Sequence, residues 1–187
     1  MQMDPIAAEK AALRAKMHAL RDAIPPETRR AAAEALAMKA ALPAFRAFLP
    51  KPGGVIAGFI PIKSEINPLP LMKRLAGEGF RLALPRITKE GLVFHAYEIG
   101  QELAPGQMGT REPYPDWPVA KPDLILAAML AFDRNGARIG YGKAYYDRAF
   151  AANPGARRVG IAYALQRIDA VPREAHDALL ETVFTEE

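Results

Sequence analysis

Residues 55–60 of the sequence are Val-Ile-Ala-Gly-Phe-Ile, an unbroken apolar run that follows a Pro- and Gly-rich turn at 50–54. A run of this kind, bounded by glycine and proline, predicts a β-strand that is buried on both faces. Apolar residues at helical spacing follow at 68–76, and residues 80–84 return to a strand pattern. The region therefore predicts one strand–helix–strand unit of an α/β sheet.

The same alternation continues on both sides of this unit. We predict further strands at 92–99, 123–127 and 158–163, helices at 5–22, 27–42 and 143–152, a short helical piece at 45–48 and a long irregular loop at 104–122. Residues 129–132 are a candidate continuation of the apolar layer. The alternation implies an α/β fold: a single three-layer α/β/α domain over residues 1–187, with a mainly parallel, mixed sheet and N-terminal helices. In such a fold the ligand site lies at the carboxyl ends of the strands.

The composition narrows the class of protein. The 187 residues are 50% hydrophobic, contain no cysteine and carry a formal net charge of +4. The lack of cysteine excludes disulfides, thiolate metal sites and cysteine nucleophiles. No stretch is long and apolar enough for a membrane span, and the charged first twenty residues do not fit a signal peptide. We expect a cytoplasmic protein that binds neither membrane nor nucleic acid, and a monomer or a weak homodimer.

The densest candidate for function is the segment 132–148, Phe-Asp-Arg-Asn-Gly-Ala-Arg-Ile-Gly-Tyr-Gly-Lys-Ala-Tyr-Tyr-Asp-Arg. Here a strand gives way to a glycine loop and then to the start of a helix. The backbone amides of such a loop, together with the helix N-terminus, form an anion site that suits phosphate, and Arg138, Lys143 and Arg148 add positive charge. The alternative is a plain turn whose glycines serve only to adopt positive φ.

Two common phosphate loops are excluded by inspection. A Walker A motif needs Gly at 137 and Ser or Thr at 144, where this chain has Ala137 and Ala144. The dinucleotide fingerprint, started at Gly140, would place its third glycine at Tyr145. The loop is therefore a phosphate cradle of neither standard kind.

The run from Ala131 to Arg148, with its Gly-Tyr-Gly-Lys-Ala-Tyr-Tyr-Asp core, resembles the hallmark of the 5-formyltetrahydrofolate cyclo-ligase family, also called 5,10-methenyltetrahydrofolate synthetases. Other segments resemble the family in order and spacing: Lys10 with Leu13 and Arg14, residues 64–68 (Ser-Glu-Ile-Asn-Pro), Glu112-Pro113, and a C-terminal pattern of Gly160, Ala162, Gln166, Pro172, His176-Asp177 and Thr185-Glu186. The resemblance therefore covers nearly the whole chain. Ala144 is a departure, because glycine is common there; a positive φ at this position would cost about 1 kcal/mol or more.

The resemblance implies an ATP-dependent ligase with Mg²⁺ as cofactor and ATP as co-substrate. In the family the formyl oxygen of 5-formyltetrahydrofolate attacks the γ-phosphate of ATP, and the resulting iminium phosphate is captured by N10 to give 5,10-methenyltetrahydrofolate, ADP and phosphate. This chemistry needs alignment and charge neutralisation and no protein nucleophile. The sequence agrees, because it has no cysteine and its only serine, Ser64, lies outside a nucleophile elbow.

The resemblance also implies roles for individual residues. Those expected to bind ATP are Lys10, Arg14, Arg138, Gly140, Tyr141, Gly142, Lys143, Ala144, Tyr145 and Tyr146. Those expected to contact the folate are Ile60, Glu65, Tyr141 and Tyr146, with Glu65 accepting hydrogen bonds from the pterin. Asp147 and Asp177 are the expected Mg²⁺ ligands, since Mg²⁺ prefers carboxylate and phosphate oxygens. The expected catalytic residues are Arg138, Lys143 and Tyr146.

Each of these roles has a plainer alternative. Lys10 and Arg14 are four residues apart on one helix face and could be solvated; Asp147 and Glu65 could be acids that favour the start of a helix. Among other functions, the positive charge leaves open a nucleic-acid-binding module, although no basic stripe with interleaved aromatics is present. A sugar-phosphate isomerase or an acyl-CoA-binding enzyme of similar build is a closer rival, and dependence on nucleotide would separate it from a ligase.

Overall fold

The computed structural model describes residues 5–174 and 177–187. Its α-helices are α1 (Pro5–Asp22), α2 (Pro26–Lys39), α3 (Pro43–Arg46), α4 (Leu69–Gly77) and α5 (Tyr145–Ala152). Its strands are β1 (Val55–Ala57), β2 (Arg81–Ile87), β3 (Leu92–Tyr97), β4 (Ala104–Pro105), β5 (Arg111–Glu112), β6 (Leu124–Ala127), β7 (Ala131–Phe132), β8 (Arg138–Ile139), β9 (Arg157–Ile161) and β10 (Thr182–Phe184). Short 3₁₀ helices span Gln107–Gly109 and Ala164–Gln166.

The main sheet has six strands in the order β10-β9-β6-β1-β2-β3. All neighbouring pairs are parallel except β2 and β3, which are antiparallel. In β1, Ile56 pairs with Leu82 on one side and with Leu124 on the other. The prediction of a mainly parallel, mixed sheet is therefore confirmed.

Helices cover both faces of this sheet. Ile56 belongs to one apolar cluster together with Leu36 of α2 and Leu71 of α4. Its neighbours in β1 point the opposite way and join a second cluster with Phe150 of α5. Because successive strand residues face opposite sides, both faces of the central strands are apolar, which explains the unbroken hydrophobic runs in the sequence. The α/β/α layering is as predicted.

Helix α1 packs at the edge of the sheet formed by the carboxyl ends of its strands. Met17 is buried there against Leu130, Ile139 and Val171, which lie in or beside a small hairpin made by β7 and β8. This position directs the cationic face of α1 toward the glycine loop that follows β8. The fold thus brings residues from the start of the chain to the predicted ligand edge.

Several boundaries differ from the sequence predictions. The apolar residues 129–132 do not extend the main sheet, since β7 pairs with β8 in a separate hairpin. The loop at 104–122 contains a second hairpin, β4 with β5. Strand β10 was not predicted, because its three residues are only partly buried and form no apolar run. Helix α5 begins at Tyr145, two residues later than expected.

Among the described residues, no helix combines the length and the hydrophobicity needed to cross a bilayer.

Candidate active site

A cavity of about 390 Å³ opens where β1, β2 and β6 end. Its wall includes Ile60 just after β1, Ile87 at the end of β2 and Ala128 just after β6. Residues of helix α1 and of the glycine loop, together with Glu174 and Asp177, complete it. The cavity is lined by all of the residues that the sequence assigned to a site: Lys10, Arg14, Ile60, Glu65, Arg138, Gly140, Tyr141, Gly142, Lys143, Ala144, Tyr145, Tyr146, Asp147 and Asp177.

The glycine loop is held against α1. The Arg14 Nε donates a hydrogen bond of 2.9 Å to the carbonyl oxygen of Gly140. Gly142 has a φ of +87°, and a Cβ on it would lie 3.3 Å from the Arg14 guanidinium carbon. Only glycine therefore suits this position in both conformation and space.

Ala144, at the N-cap of α5, adopts the left-handed conformation with φ 50° and ψ 28°. The sequence comparison with the glycine-bearing family pattern predicted this strain. Lys63, two residues before Glu65, has a φ of 53°. These are the two non-glycine residues with positive φ among the described residues; Ala144 lines the cavity, and Lys63 follows Ile62, which also lines it. Backbone strain of this kind tends to collect at functional sites.

Lys10 forms the centre of an ionic cluster at one end of the cavity. Its Nζ lies 2.7 Å from Asp177 Oδ2 and 2.9 Å from Glu174 Oε2. Burial by itself lowers the pKa of Lys10, but the hydrogen bonds and charges of Asp177 and Glu174 outweigh it and raise the pKa above its usual value. Lys10 is thus fully protonated at neutral pH, and the predicted phosphate ligand and the predicted metal ligand are paired with each other.

Arg138 and Asp147 form a second ion pair. The Arg138 Nη2 donates to Asp147 Oδ1 over 3.0 Å, and the same oxygen accepts the backbone N–H of Ala178 over 3.1 Å. The Arg138 Nη1 donates to the Ala178 carbonyl oxygen over 2.6 Å. The Arg138 side chain is only 6% exposed. This bonding ties α5 to the segment that carries Asp177, and it leaves Asp147 Oδ2 without a hydrogen bond among the described residues.

Glu65 also lines the cavity and is 9% exposed. Its Oε2 accepts the backbone N–H of Ile62 over 2.9 Å. Burial raises the pKa of Glu65, while the Ile62 N–H, the charge of Arg21 and the Tyr141 hydroxyl oppose that rise. Burial also raises the pKa of Tyr146, whose hydroxyl is hydrogen-bonded to the backbone of Ala128.

Sequence analysis missed Arg21 and Glu174. Arg21 is 1% exposed and donates to the Tyr141 hydroxyl over 2.5 Å. Its spacing carried a usable signal, because Arg21 lies seven residues after Arg14 and therefore two helical turns further along the same face. Glu174 gave no such signal, since it lies in an irregular segment and its partner Lys10 is 164 residues away.

A cavity at the carboxyl edge of parallel strands, whose lining combines a glycine loop, cations and a buried carboxylate, defines an α/β enzyme that acts on small molecules. The model of the 5-formyltetrahydrofolate cyclo-ligase family matches residues 6–186. This chain belongs to that family. The predictions of the family and of an enzyme of this class are therefore confirmed.

Individual relatives agree. The 5-formyltetrahydrofolate cyclo-ligase of Mycolicibacterium smegmatis is 31% identical over 71% of this chain and 74% of the relative, and that of Escherichia coli K12 is 29% identical over 70% and 76%. The NMR structure of Aquifex aeolicus 5,10-methenyltetrahydrofolate synthetase is 28% identical, with a TM-score of 0.78 over 95% of this chain and 90% of that one. A Mycoplasma pneumoniae 5,10-methenyltetrahydrofolate synthetase, 22% identical, has a TM-score of 0.74 over 95% and 99% and supports the fold alone.

Proposed function

We propose that the protein catalyses the ATP- and Mg²⁺-dependent cyclisation of 5-formyltetrahydrofolate to 5,10-methenyltetrahydrofolate, with release of ADP and phosphate. The observation that carries the proposal is that a single cavity gathers every residue expected for either substrate. Its lining combines cations and the glycine loop with the buried carboxylate of Glu65. The volume of about 390 Å³ falls in the range of small-molecule sites.

The phosphate chain of ATP is assigned to the end formed by α1 and the glycine loop. Lys10, Arg14 and Lys143 supply positive charge there, and Lys143 has no ion-pair or hydrogen-bond partner among the described residues. Arginine and lysine clamps of this kind stabilise the charge that develops on a transferring phosphoryl group. Arg138 adds a further cation, held in a fixed orientation by Asp147 and Ala178.

The pterin is assigned to the end that holds Glu65. A carboxylate has two acceptor oxygens and suits the ring N–H and amino group of a pterin. Phe59 and Ile60 line the same region and offer apolar surface to a flat ring. Tyr141 and Tyr146 are assigned to both substrates, because both line the cavity and the charge of Glu65 acts on both hydroxyls.

The reaction proposed for this cavity begins with attack of the formyl oxygen on the γ-phosphorus of ATP. The new O–P bond forms as the bond to ADP breaks, which leaves an iminium phosphate at N5. N10 then adds to the activated carbon and loses its proton, and expulsion of phosphate gives the methenyl product. The contribution of the protein is alignment and charge neutralisation, in which Arg138 and Lys143 hold the phosphoryl group and Tyr146 positions the folate.

The acidic residues of the cavity fit a magnesium ion that is held mainly by nucleotide phosphates and water. Asp147 Oδ2 has no hydrogen bond among the described residues, and Asp177 and Glu174 also line the cavity. No group of three acidic, histidine or cysteine side chains among the described residues forms a complete metal site. This donor set suits Mg²⁺, which keeps several waters and takes one or two carboxylates. When bound, the ion would neutralise charge on the β- and γ-phosphates.

Formation of product in a defined mixture tests the proposal. Purified protein, 5-formyltetrahydrofolate and MgATP should generate the near-ultraviolet absorption of the conjugated methenyl product, and omission of protein, nucleotide or folate should abolish it. A mixture that contains all components but develops no such band would refute the proposed function. The proposal extends to a single cytoplasmic domain that is a monomer or a weak dimer, which sedimentation of the purified protein and cell fractionation can check.

A further inference from the structure

Arg21, near the end of α1, is the largest side chain that the structure buries completely. All three of its nitrogens donate hydrogen bonds: Nε to Ser64 Oγ over 3.1 Å, Nη1 to the Met129 carbonyl over 3.3 Å and Nη2 to the Tyr141 hydroxyl over 2.5 Å. These three partners lie on three different loops at the edge of the sheet. A buried guanidinium needs such partners to offset its lost hydration.

The hydrogen-bond chemistry of Arg21 fixes the direction of the Tyr141 hydroxyl. A guanidinium can only donate, so the Tyr141 oxygen must accept from it, and the single hydroxyl proton is left to be donated elsewhere. The Tyr141 hydroxyl interacts with the Glu65 carboxylate, since each of the two groups shifts the pKa of the other. On the other side, Ser64 accepts from Arg21 and donates to Asp22 Oδ1, which holds the residue next to Glu65 in place.

The positive charge of Arg21 also acts on the Glu65 carboxyl group. Burial raises the pKa of this carboxyl group, and the positive charge of Arg21 opposes the rise. The charge of Glu65 also acts on Tyr141 of the glycine loop, Tyr146 of α5 and Tyr163 after β9. His18 and Asp22 of α1 interact electrostatically with Arg21. His18 also feels the charge of Lys63, which lies in the same loop as Glu65. Among these, Arg21 is the cation whose charge lowers the pKa of Glu65.

We infer that Arg21 is a positioning residue for folate use: its hydrogen bonds to the Tyr141 hydroxyl and to Ser64 hold Tyr141 and the loop that carries Glu65 in place for the pterin. The inference rests on the proposed function, because it takes Glu65 to be the group that meets the folate. The C-terminal end of α1 would thus contribute to the folate half of the cavity. Lys10 and Arg14, which lie nearer the N-terminus of α1, are assigned to the phosphate half.

The test compares Arg21→Met with the wild type over a range of pH. Loss of the positive charge should raise the pKa of Glu65 further, so the acidic limb of kcat/KM for 5-formyltetrahydrofolate should move to higher pH. At neutral pH we expect kcat/KM for the folate to fall by about tenfold or more, through KM, while the KM for ATP stays unchanged. The titration of the substrate itself cancels in this comparison, because both proteins receive the same folate.

Two controls separate positioning from a general loss of stability. Met17→Ala removes a buried side chain of the same helix that contacts the hydrophobic cluster around Leu130 and not Glu65. It should lower the unfolding temperature and leave the acidic limb in place. His18→Gln, made in both the wild-type and the Arg21→Met background, removes the nearby histidine. The shift of the limb should persist without it.

A double-mutant cycle covers the case in which Arg21→Met does not fold. Arg21→Lys keeps the charge but not the guanidinium fork, so the acidic limb should stay near its wild-type position while the folate KM rises. If Arg21 acts through the hydroxyl of Tyr141, then Arg21→Lys combined with Tyr141→Phe should be no worse for the folate KM than Tyr141→Phe alone. Additive losses would overturn the inference.

The failure of this inference is distinguishable from failure of the proposed function. A wild-type protein that forms no methenyl product refutes the function itself. A wild-type protein that turns over, with Arg21 variants whose losses follow only the folded fraction and affect ATP and folate alike, refutes the positioning role and leaves the function standing.

Discussion

Replacement of Glu65 by glutamine tests the folate half of the cavity most directly. The change keeps the shape of the side chain but removes its charge and replaces one acceptor oxygen with a donor NH₂ group. The Ile62 backbone nitrogen lies 2.9 Å from Glu65 Oε2, and its N–H can still donate to the amide oxygen of a glutamine at this position. The NH₂ group must then face the Tyr141 hydroxyl or the pterin, where donors would meet donors.

The structure sets the scale of the expected loss. Glu65 is 9% exposed, so a charge-assisted hydrogen bond from the pterin would form with little competition from water. Loss of such a bond costs about 1.5 to 3 kcal/mol, which corresponds to about a 10- to 150-fold decrease in kcat/KM for 5-formyltetrahydrofolate. The effect should appear in the folate KM if the contact is equally strong in the ground and transition states. The KM for ATP should hardly change.

The fold should not suffer from this substitution. Burial raises the pKa of Glu65 above its value in the unfolded chain, so ionisation of the group works against folding, and its contribution to stability decreases as the pH rises through the two values. Glutamine removes that penalty. The unfolding temperature at neutral pH should therefore be equal to or above that of the wild type.

Steady-state kinetics followed through the absorption of the methenyl product give both KM values, and the pH profile of kcat/KM for the folate should lose the limb that Glu65 causes. Glu186→Gln is a matched control, because Glu186 Oε2 also accepts a backbone N–H, that of Ala164 over 2.9 Å, outside the cavity lining. It should leave the folate KM unchanged. Normal folate kinetics in Glu65→Gln, combined with weakened ATP binding, would show that Glu65 has been assigned to the wrong half of the cavity.

Three further predictions address the phosphate half. Excess chelator, or omission of ATP, should abolish product formation; full turnover under either condition would contradict the assignment of Mg²⁺ and ATP. A Lys10→Ala/Arg14→Ala variant should stay folded by circular dichroism yet bind ATP more weakly by about 1.5 to 3 kcal/mol per lost charged contact, measured by calorimetric titration. Ala144→Gly should raise the free energy of unfolding by about 1 kcal/mol or less, because relief of the left-handed strain at φ 50° is partly offset by greater freedom of the unfolded chain. An unchanged or lower stability of Ala144→Gly would show that the strain is compensated locally.

The ion pairs at the phosphate end bear on how MgATP would enter. Lys10 is bound to Asp177 and Glu174, and Arg138 is bound to Asp147. Two of the predicted cations therefore neutralise the predicted magnesium ligands. Arrival of a metal and a polyphosphate together would supply each partner with an opposite charge, so that neither carboxylate nor ammonium is left unpaired in a partly buried site.

The order of strands and helices could be read from the sequence because it depends on local patterning. Residues 55–57 and 124–127 are continuous apolar runs, since a central parallel strand buries both faces. The glycine loop was recognisable from its closely spaced glycines. One of them, Gly142, adopts the positive φ that glycine tolerates best. The left-handed conformation of Ala144 was anticipated from the family resemblance, because glycine is common at that position.

Elements that derive their stability from distant partners were not predictable in this way. Strand β10 has no apolar run of its own and exists because it pairs in parallel with β9. The hairpin of β7 and β8 was not predicted, and residues 129–132 were only a candidate continuation of the apolar layer, because such a run does not show whether it packs against α1 or against another strand.

By itself, the sequence determined the α/β class, through local patterning, and many of the residues that line the cavity, through the resemblance of its motifs to the family. Only the tertiary structure decided that Lys10 pairs with Asp177, 167 residues away, and that Arg21 is buried between three loops and bound to Tyr141. The physical reason is that a charged side chain reveals its role through its burial and partners. Both are created when α1 closes over the carboxyl edge of the sheet.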